Sequence, residues 1–312
     1  LGTIALTGAT GFIGNALVRR LEAAGGRIRA LVRPASAHTR LLAGTSVQRV
    51  EGDLADPDSL RRLVHDAEAV VHCAGRVRGA SQADFDRVNV DSVAQLVQVA
   101  RRQHRVPRFL LISSLAAREP HLSAYAASKR QGEEVLAAAA GAMPWAAFRP
   151  PAVYGPGDRE LLPLFRWMSR GITPVLGTRN ARFALLFVED LAEAVLGWLD
   201  CRKAGPFVFE LHDGRPGGYT WNDVIATASR VFARGIIRIP VPEILLQGLA
   251  ALNLMTARRL GYAPMLTPGK VRELRHPDWV CDNRRLSEET GWAPRVALEE
   301  GLRRTLGQKM GL

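Results

Sequence analysis

A short apolar run, Thr3 to Leu6, enters the turn Gly8-x-x-Gly11-x-x-Gly14 and leaves it as a helical pattern with Ile13, Leu17 and Leu21 at i, i+4 spacing. Few folds use three glycines at that spacing between a strand and a helix. Gly8 permits the tight turn, Gly11 lets a pyrophosphate approach the backbone, and Gly14 lets helix pack close to sheet. The helix N-terminus adds free N–H groups and the positive end of a dipole. A merely structural strand-turn-helix is the competing reading, and the position of the turn, first in a β/α series, weakens it.

That series continues with strands at Ile28 to Val32 and Val47 to Val50, a helix at Asp58 to Ala67, and a strand at Ala69 to Cys73. A long helix is expected over Gln82 to Arg102, a strand at Phe109 to Ile112, a helix at Ala124 to Ala140 and a strand at Ala146 to Phe148. Such alternation predicts an α/β fold: a doubly wound parallel sheet of Rossmann type, covered on both faces. Residues 1–150 would form this dinucleotide-binding domain. After Pro150-Pro151 the character changes, with more Pro, Gly and Trp and few strands. Phe183 to Phe187 and Phe207 to Leu211 still look like strands around a helix at Glu189 to Leu199, so 183–211 is expected to return to the sheet. Residues 151–182 and 212–312 then make a smaller, mainly helical substrate-binding domain.

The end of the second strand bears on the cofactor. NAD-selective sites usually place Asp or Glu there to bind the ribose hydroxyls. Here the chain reads Leu31-Val32-Arg33-Pro34. An arginine cannot accept from a 2′-hydroxyl but matches a 2′-phosphate. NADP(H) is therefore preferred, with NAD(H) the alternative if Arg33 is an ordinary surface residue.

Ser113-Ser114 and Tyr125-Ala126-Ala127-Ser128-Lys129 point to chemistry. On a helix, Tyr125 and Lys129 share one face. An ammonium close to a phenol favours the phenolate and lowers its pKa from about 10, which suits proton exchange. The chain has 42 basic residues, yet lysine occurs only at Lys129, Lys203, Lys270 and Lys309. Alone, the pair would be better read as accidental; with the glycine turn it is not.

Composition narrows the partners. A net charge of +12 raises nucleic acid, anionic lipid or a phosphorylated ligand. The arginines are scattered as helix pairs, without an aromatic-interleaved basic run, which argues against nucleic acid. Cys73, Cys201 and Cys281 have neither zinc nor C-x-x-C spacing and fit a reducing compartment. The chain opens on a strand with no signal peptide and no bilayer-spanning run, so a cytoplasmic protein is expected.

Together these segments resemble the extended short-chain dehydrogenase/reductases, the NAD-dependent epimerase/dehydratase family. The resemblance rests on Thr7 to Gly14, Gly52-Asp53-Leu54, His72 to Gly75, Asn89-Val90, Ile112 to Ser114, Tyr125 to Lys129, Arg149 to Asp158, Val188 to Ala192 and Gly291 to Pro294 with Leu298 to Leu302. It implies that Thr10, Gly11, Phe12 and Ile13 of the turn meet the cofactor, that Asp53 and Leu54 flank the adenine, and that Ala74 and Gly75 meet ribose and phosphates. Pro150 to Val153 would sit by the nicotinamide amide. Ser114 would hydrogen-bond the substrate oxygen, with Ser113 the runner-up. Tyr125 would pass the proton, and Lys129 would bind the nicotinamide ribose while lowering the Tyr125 pKa. Family members often dimerise through two helices, here Gln82 to Arg102 and Ala124 to Ala140, so a homodimer is expected by analogy.

The substrate is read from departures within that family. Only ten residues separate Ser114 from Tyr125, fewer than in typical sugar epimerases, and no asparagine follows Gly157-Asp158 to hold a nucleotide phosphate. Pro242 to Met255 is apolar on most of its circumference and is followed by Arg258-Arg259. It is either buried in the small domain, a cover for a lipid pocket, or a contact with an anionic membrane face. Through Pro268 the pattern resembles the 3β-hydroxysteroid dehydrogenase and lipid ketone reductase branch. The expectation is an NADPH-dependent reductase of a lipophilic ketone, such as a 3-oxo sphingoid, a ceramide or a sterol-like ketone. A nucleotide-sugar epimerase or dehydratase is the alternative, and a non-enzymatic cofactor sensor is a third reading that the intact Ser114/Tyr125/Lys129 set disfavours.

Overall fold

Every second residue of the first strand belongs to a different core. In the computed structural model, which describes residues 2–34, 42–178, 180–201 and 205–307, Ile4 and Leu6 pack on one face of the central sheet and Ala5 on the other. The same alternation runs through the middle strands: Val71, Ile112 and Phe148 face one way, and Val70, Leu111 and Ala147 the other. A strand apolar on both sides must be covered on both sides, which is why helices flank it. Each buried Val, Leu, Ile or Phe among them contributes about 1.5–3 kcal/mol.

The first half runs β1 (Thr3–Thr7), α1 (Phe12–Ala23), β2 (Arg27–Val32), β3 (Gln48–Glu51), α2 (Pro57–Val64), β4 (Ala69–His72), α3 (Gln82–Asp86), α4 (Ser92–Arg101), β5 (Arg108–Ile112), α5 (Ala124–Ala139) and β6 (Trp145–Arg149). The second half holds β7 (Ala152–Tyr154), α6 (Leu162–Ser169), β8 (Ile172–Val175), β9 (Arg182–Phe183), β10 (Leu185–Phe187), α7 (Val188–Asp200) and β11 (Phe207–Glu210). It continues with α8 (Trp221–Val231), β12 (Ile237–Pro240), α9 (Glu243–Leu260), α10 (Pro268–Arg275), β13 (Asp278–Trp279), α11 (Arg284–Thr290) and α12 (Leu298–Gly307). Seven strands form one parallel sheet in the order β11-β6-β5-β4-β1-β2-β3. Succession runs outward from β1 in one direction and from β4 in the other. The crevice for a ligand in such a sheet lies at that reversal, beyond the carboxyl ends of the strands.

The expected doubly wound sheet is present, and three local expectations change. The helix expected over Gln82 to Arg102 is interrupted by a π-helical turn, Arg87–Asp91, within which Asn89 is buried. Phe183 to Phe187 is not one strand: Phe183 ends β9, which pairs with β13, while β10 pairs with β7. Only β11 joins the main sheet, beside β6. Among the described residues, the C-terminal part is helical around six strands of two to four residues, too short to show a period of two in the sequence. Two of the family segments hold each other there: Trp292 Nε1 donates to Asp190 O at 3.1 Å, and the Asp190 carboxylate accepts from Arg295 N and Val296 N just beyond.

The apolar segment from Pro242 forms α9, and burial of the helix in the small core is corrected. Only Leu246, Ala250 and Ala257 are buried, packing in part on Val271 of α10. Ile244, Leu245, Leu249, Leu252, Met255 and Leu260 are exposed, Ile244 to 87%. Among the described residues, no helix is long and apolar enough to cross a membrane.

Candidate active site

The carboxyl ends of the parallel strands gather the residues expected to bind a dinucleotide. Gly8 follows β1 with φ +74°, and a Cβ there would stand 2.6 Å from the Ala74 nitrogen after β4. Two strand ends therefore meet across a gap that only glycine can close. A Cβ on Gly14 would lie 2.0 Å from the Gly8 carbonyl oxygen, so Gly14 packs on the turn itself rather than on the sheet. Gly11 is exposed and bonds back to Gly8 O at 2.9 Å, between partly exposed Thr10 and Phe12; Ile13 packs into the core. Arg33 directly follows β2 and is exposed. Gly52 N bonds Val32 O at 3.0 Å, so Arg33 and Asp53 end neighbouring strands, with Leu54 turned into the core. Pro150 is buried at the end of β6 with its carbonyl accepting from Leu115 N at 2.9 Å, and Val153 packs partly on the main core. A cradle whose glycines leave no room for a side chain fits a dinucleotide, with its phosphates at the α1 N-terminus.

A buried hydrogen-bond chain fixes this cradle. Ser92 Oγ donates to Val88 O at 2.6 Å, so at 3.1 Å it can only accept from His72 Nε2. His72 Nδ1 is then the acceptor for Thr7 Oγ1 at 2.9 Å, and Thr7 Oγ1 accepts from Ala74 N at 3.2 Å. Burial, and secondarily the Lys129 charge, hold His72 neutral with its pKa pushed down to about 3. An unfolded chain takes up that proton below about 6.5 and the folded chain does not, so this stabilisation is complete above about 6.5 and drains as pH falls. Between pH 7.5 and 5 the folded state should lose about 2 kcal/mol through this residue. The urea midpoint measures the loss, and a His72→Gln variant should show a smaller pH difference; an equal difference would locate the acid sensitivity elsewhere.

The chemical groups stand over β5 and α5. Ser114 opens a short 3-10 turn, Leu115–Arg118; its Oγ accepts from Ala116 N at 3.2 Å and hydrogen-bonds the Tyr125 hydroxyl. Ser113 points away: its Oγ donates to Glu133 at 2.5 Å, and Glu133 is held by Arg149 at 2.6 Å in a buried pair. Of the two serines, Ser114 is thus the one at the phenol. Tyr125 enters from the first turn of α5, whose N-cap Ser123 accepts from Ala126 N at 2.9 Å.

Lys129, one turn on, is buried and donates to Ile112 O at 3.0 Å, and a Cβ on Gly75 would stand 3.1 Å from its Nζ. Burial brings its pKa down to about 8, with Cys73 and Glu133 favouring the charged form. The expected lowering of Tyr125 by Lys129 is corrected here. Burial pushes the phenol above its ordinary value, and the opposing influences are the Ser114 hydrogen bond and the charge of Lys270. Lys129 faces the β5 carbonyl and Gly75 beneath the crevice instead.

Tyr125 opens on a cavity of about 270 Å³ lined by Val77, Phe85, Leu254, Met265 and Lys270 among others. The Phe85 ring meets Tyr125 edge-on at 6.1 Å. A larger cavity, about 600 Å³, lies at the outer edge of the sheet by Arg149, Glu210 and Arg285 and holds none of the expected catalytic groups. No cluster of potential metal ligands occurs among the described residues. Two residues had no role in the sequence reading. Asn89 accepts from Arg76 N at 2.9 Å and donates to Arg76 O and Ser128 Oγ, pinning the loop after Gly75 to α5. Lys270 arrives from α10; the scarcity of lysine was its only signal.

Comparison with known proteins agrees with this fold. The family model described as "NAD dependent epimerase/dehydratase family" matches residues 4–207. The chain is 40% identical over 309 residues to a ceramide reductase of Caulobacter vibrioides, covering 98% of this chain and 93% of that protein. It is 26% identical to a 2-alkyl-3-oxoalkanoate reductase of Stenotrophomonas maltophilia, over 96% of this chain and 97% of that one. Among solved structures, UDP-glucuronic acid 4-epimerase from Bacillus cereus, in complex with UDP-glucuronic acid and NAD, superposes with a TM-score of 0.76 at 18% identity, covering 98% of each chain.

Proposed function

The chain belongs to the NAD dependent epimerase/dehydratase family as an NAD(P)-dependent oxidoreductase, and we propose that it uses NADPH to reduce a ketone on a long-chain lipid, a 3-oxo ceramide or sphingoid. The observation that carries the reading is the Tyr125 cavity, where the apolar side chains of Val77, Phe85, Leu254 and Met265 stand together with the polar ones of Ser81, Gln82, Arg258, Lys270 and Glu273. A lipid ketone with a polar headgroup suits a mixed lining, its acyl chain on the apolar side chains and its headgroup on the polar ones. Similarity to the ceramide reductase points the same way.

When bound, the nicotinamide supplies the hydride. The residues of this chain hold it and manage the proton. Gly8, Thr10, Gly11, Phe12, Ile13 and Gly14 would cradle the phosphates, Arg33 the 2′-phosphate, Asp53 and Leu54 the adenine. Ala74, Gly75, Pro150 and Val153 would line the nicotinamide half, with Lys129 at its ribose. Ser114 donates to the carbonyl oxygen as charge develops there, as an oxyanion site does, and Tyr125 passes its proton to the same oxygen. The phenol lies above its ordinary pKa, so it is protonated at neutral pH, which suits the reductive direction.

The exposed side of α9, ending in Arg258 and Arg259, gives this reading a place to work: the anionic inner face of a membrane, held peripherally. A homodimer through the outer faces of α4 and α5 belongs to the same reading by family analogy. The test is one assay with two substrates. Net NADPH consumption with a 3-oxo ceramide is expected, and redox-neutral conversion of a UDP-sugar instead would replace this reading with the epimerase one.

A further inference from the structure

We propose that Lys270 selects the substrate by donating to an oxygen carried beside the ketone, so that 3-oxo lipids with an amide or hydroxyl there are taken over plain ketones. This deepens the lipid reductase reading and rests on it. Composition is the first support. Arginine is the default cation of this chain, yet Lys129 and Lys270, two of its four lysines, both lie at the Tyr125 site; Lys203 and Lys309 fall outside the described residues. A compact ammonium with three rotatable donors does what a flat guanidinium fork cannot.

Position is the second. Thr267 caps α10 by accepting from Lys270 N at 3.2 Å. Gly269 lies so close to Ser123 that a Cβ there would stand 2.9 Å from the serine Cβ. Ser123 Oγ donates to Glu273 Oε1, and Glu273 Oε2 accepts from Lys270 Nζ at 2.8 Å. The serine that caps the Tyr125 helix therefore also anchors the carboxylate that aims Lys270. The ammonium ends 5.7 Å from the centroid of the Tyr125 ring, in the cavity wall.

Elimination is the third. The other cations lining the cavity have backbone partners: Arg272 donates to Leu122 O at 2.8 Å, and Arg258 reaches Ala80 O at 3.5 Å. Glu273 engages one of the three N–H groups of Lys270, and an oxygen three or four bonds from the ketone carbon held at Tyr125 would meet another.

The test uses the full chain with NADPH and two micellar probes, N-hexanoyl 3-oxosphinganine and a long-chain methyl ketone. Lys270→Met should lower kcat/KM for the amide probe about tenfold or more beyond any loss on the methyl ketone, with the excess in KM; a loss shared by both probes reports the Lys270 charge on Tyr125. Lys270→Arg should recover part of the loss. Lys270→Gln, which can still donate to Glu273, stands in if the Met variant melts early. Equal losses on both probes, or none on either, overturn the proposal. Wild-type protein that oxidises NADPH with neither probe overturns the lipid reading, a result visible before any variant is made.

Discussion

Tyr125→Phe is expected to bind NADPH as the parent does and to turn over ketone about 10² to 10⁴-fold more slowly. The substitution removes one oxygen and its proton from a ring that stays packed edge-on against Phe85. Fold and cofactor cradle are untouched, so the loss should appear in kcat with little change in the NADPH dissociation constant. The pH dependence carries a second signature. Because burial raises the phenol, the reductive rate should hold through neutrality and fall only on the alkaline side, while the reverse oxidation, which needs the phenolate, should climb with pH. Fluorescence titration with NADPH and steady-state rates in both directions measure these effects. Unchanged turnover in the Phe variant would remove Tyr125 from the proton path.

Arg33→Asp should weaken NADPH on the order of a hundredfold and leave NADH nearly as it was or better. The guanidinium follows β2 beside the end of β3, free of the core, where its loss costs no packing. A carboxylate in its place repels a 2′-phosphate and accepts from a 2′-hydroxyl, so both halves of the change act in the same direction on selectivity. Calorimetric titration with each cofactor gives the ratio. Equal losses for the two would show that Arg33 does not read the phosphate.

What could be read from the sequence was local. The glycine turn, the β/α alternation and the helix that sets Tyr125 and Lys129 one turn apart depend on neighbours within a few residues, and all three appear in the fold. What the lysine does with that shared face was not local. Its ammonium goes to Ile112 O because β5 offers a carbonyl there, which helical spacing cannot foresee. Lys270 comes to Tyr125 from a helix far along the chain, through Gly269, Ser123 and Glu273. The π turn that holds the buried Asn89 leaves the apolar periodicity of its helix nearly intact and so escapes a pattern reading. For α9, hydrophobicity was plain but which side would be covered was not, because burial is decided by partners and here only α10 and a few neighbours are present to cover it.

On the proposed reading of a lipid reductase resting on a membrane, that half-covered helix would change what concentration means for this enzyme. A protein resting by Ile244, Leu245, Leu249 and Leu252 on the phase that dissolves its substrate searches in two dimensions. The variable it senses is the mole fraction of ketone among the surrounding amphiphiles, and molarity in the tube becomes a poor coordinate. Inert detergent then acts as a diluent of the interface, competing for area without ever entering the crevice.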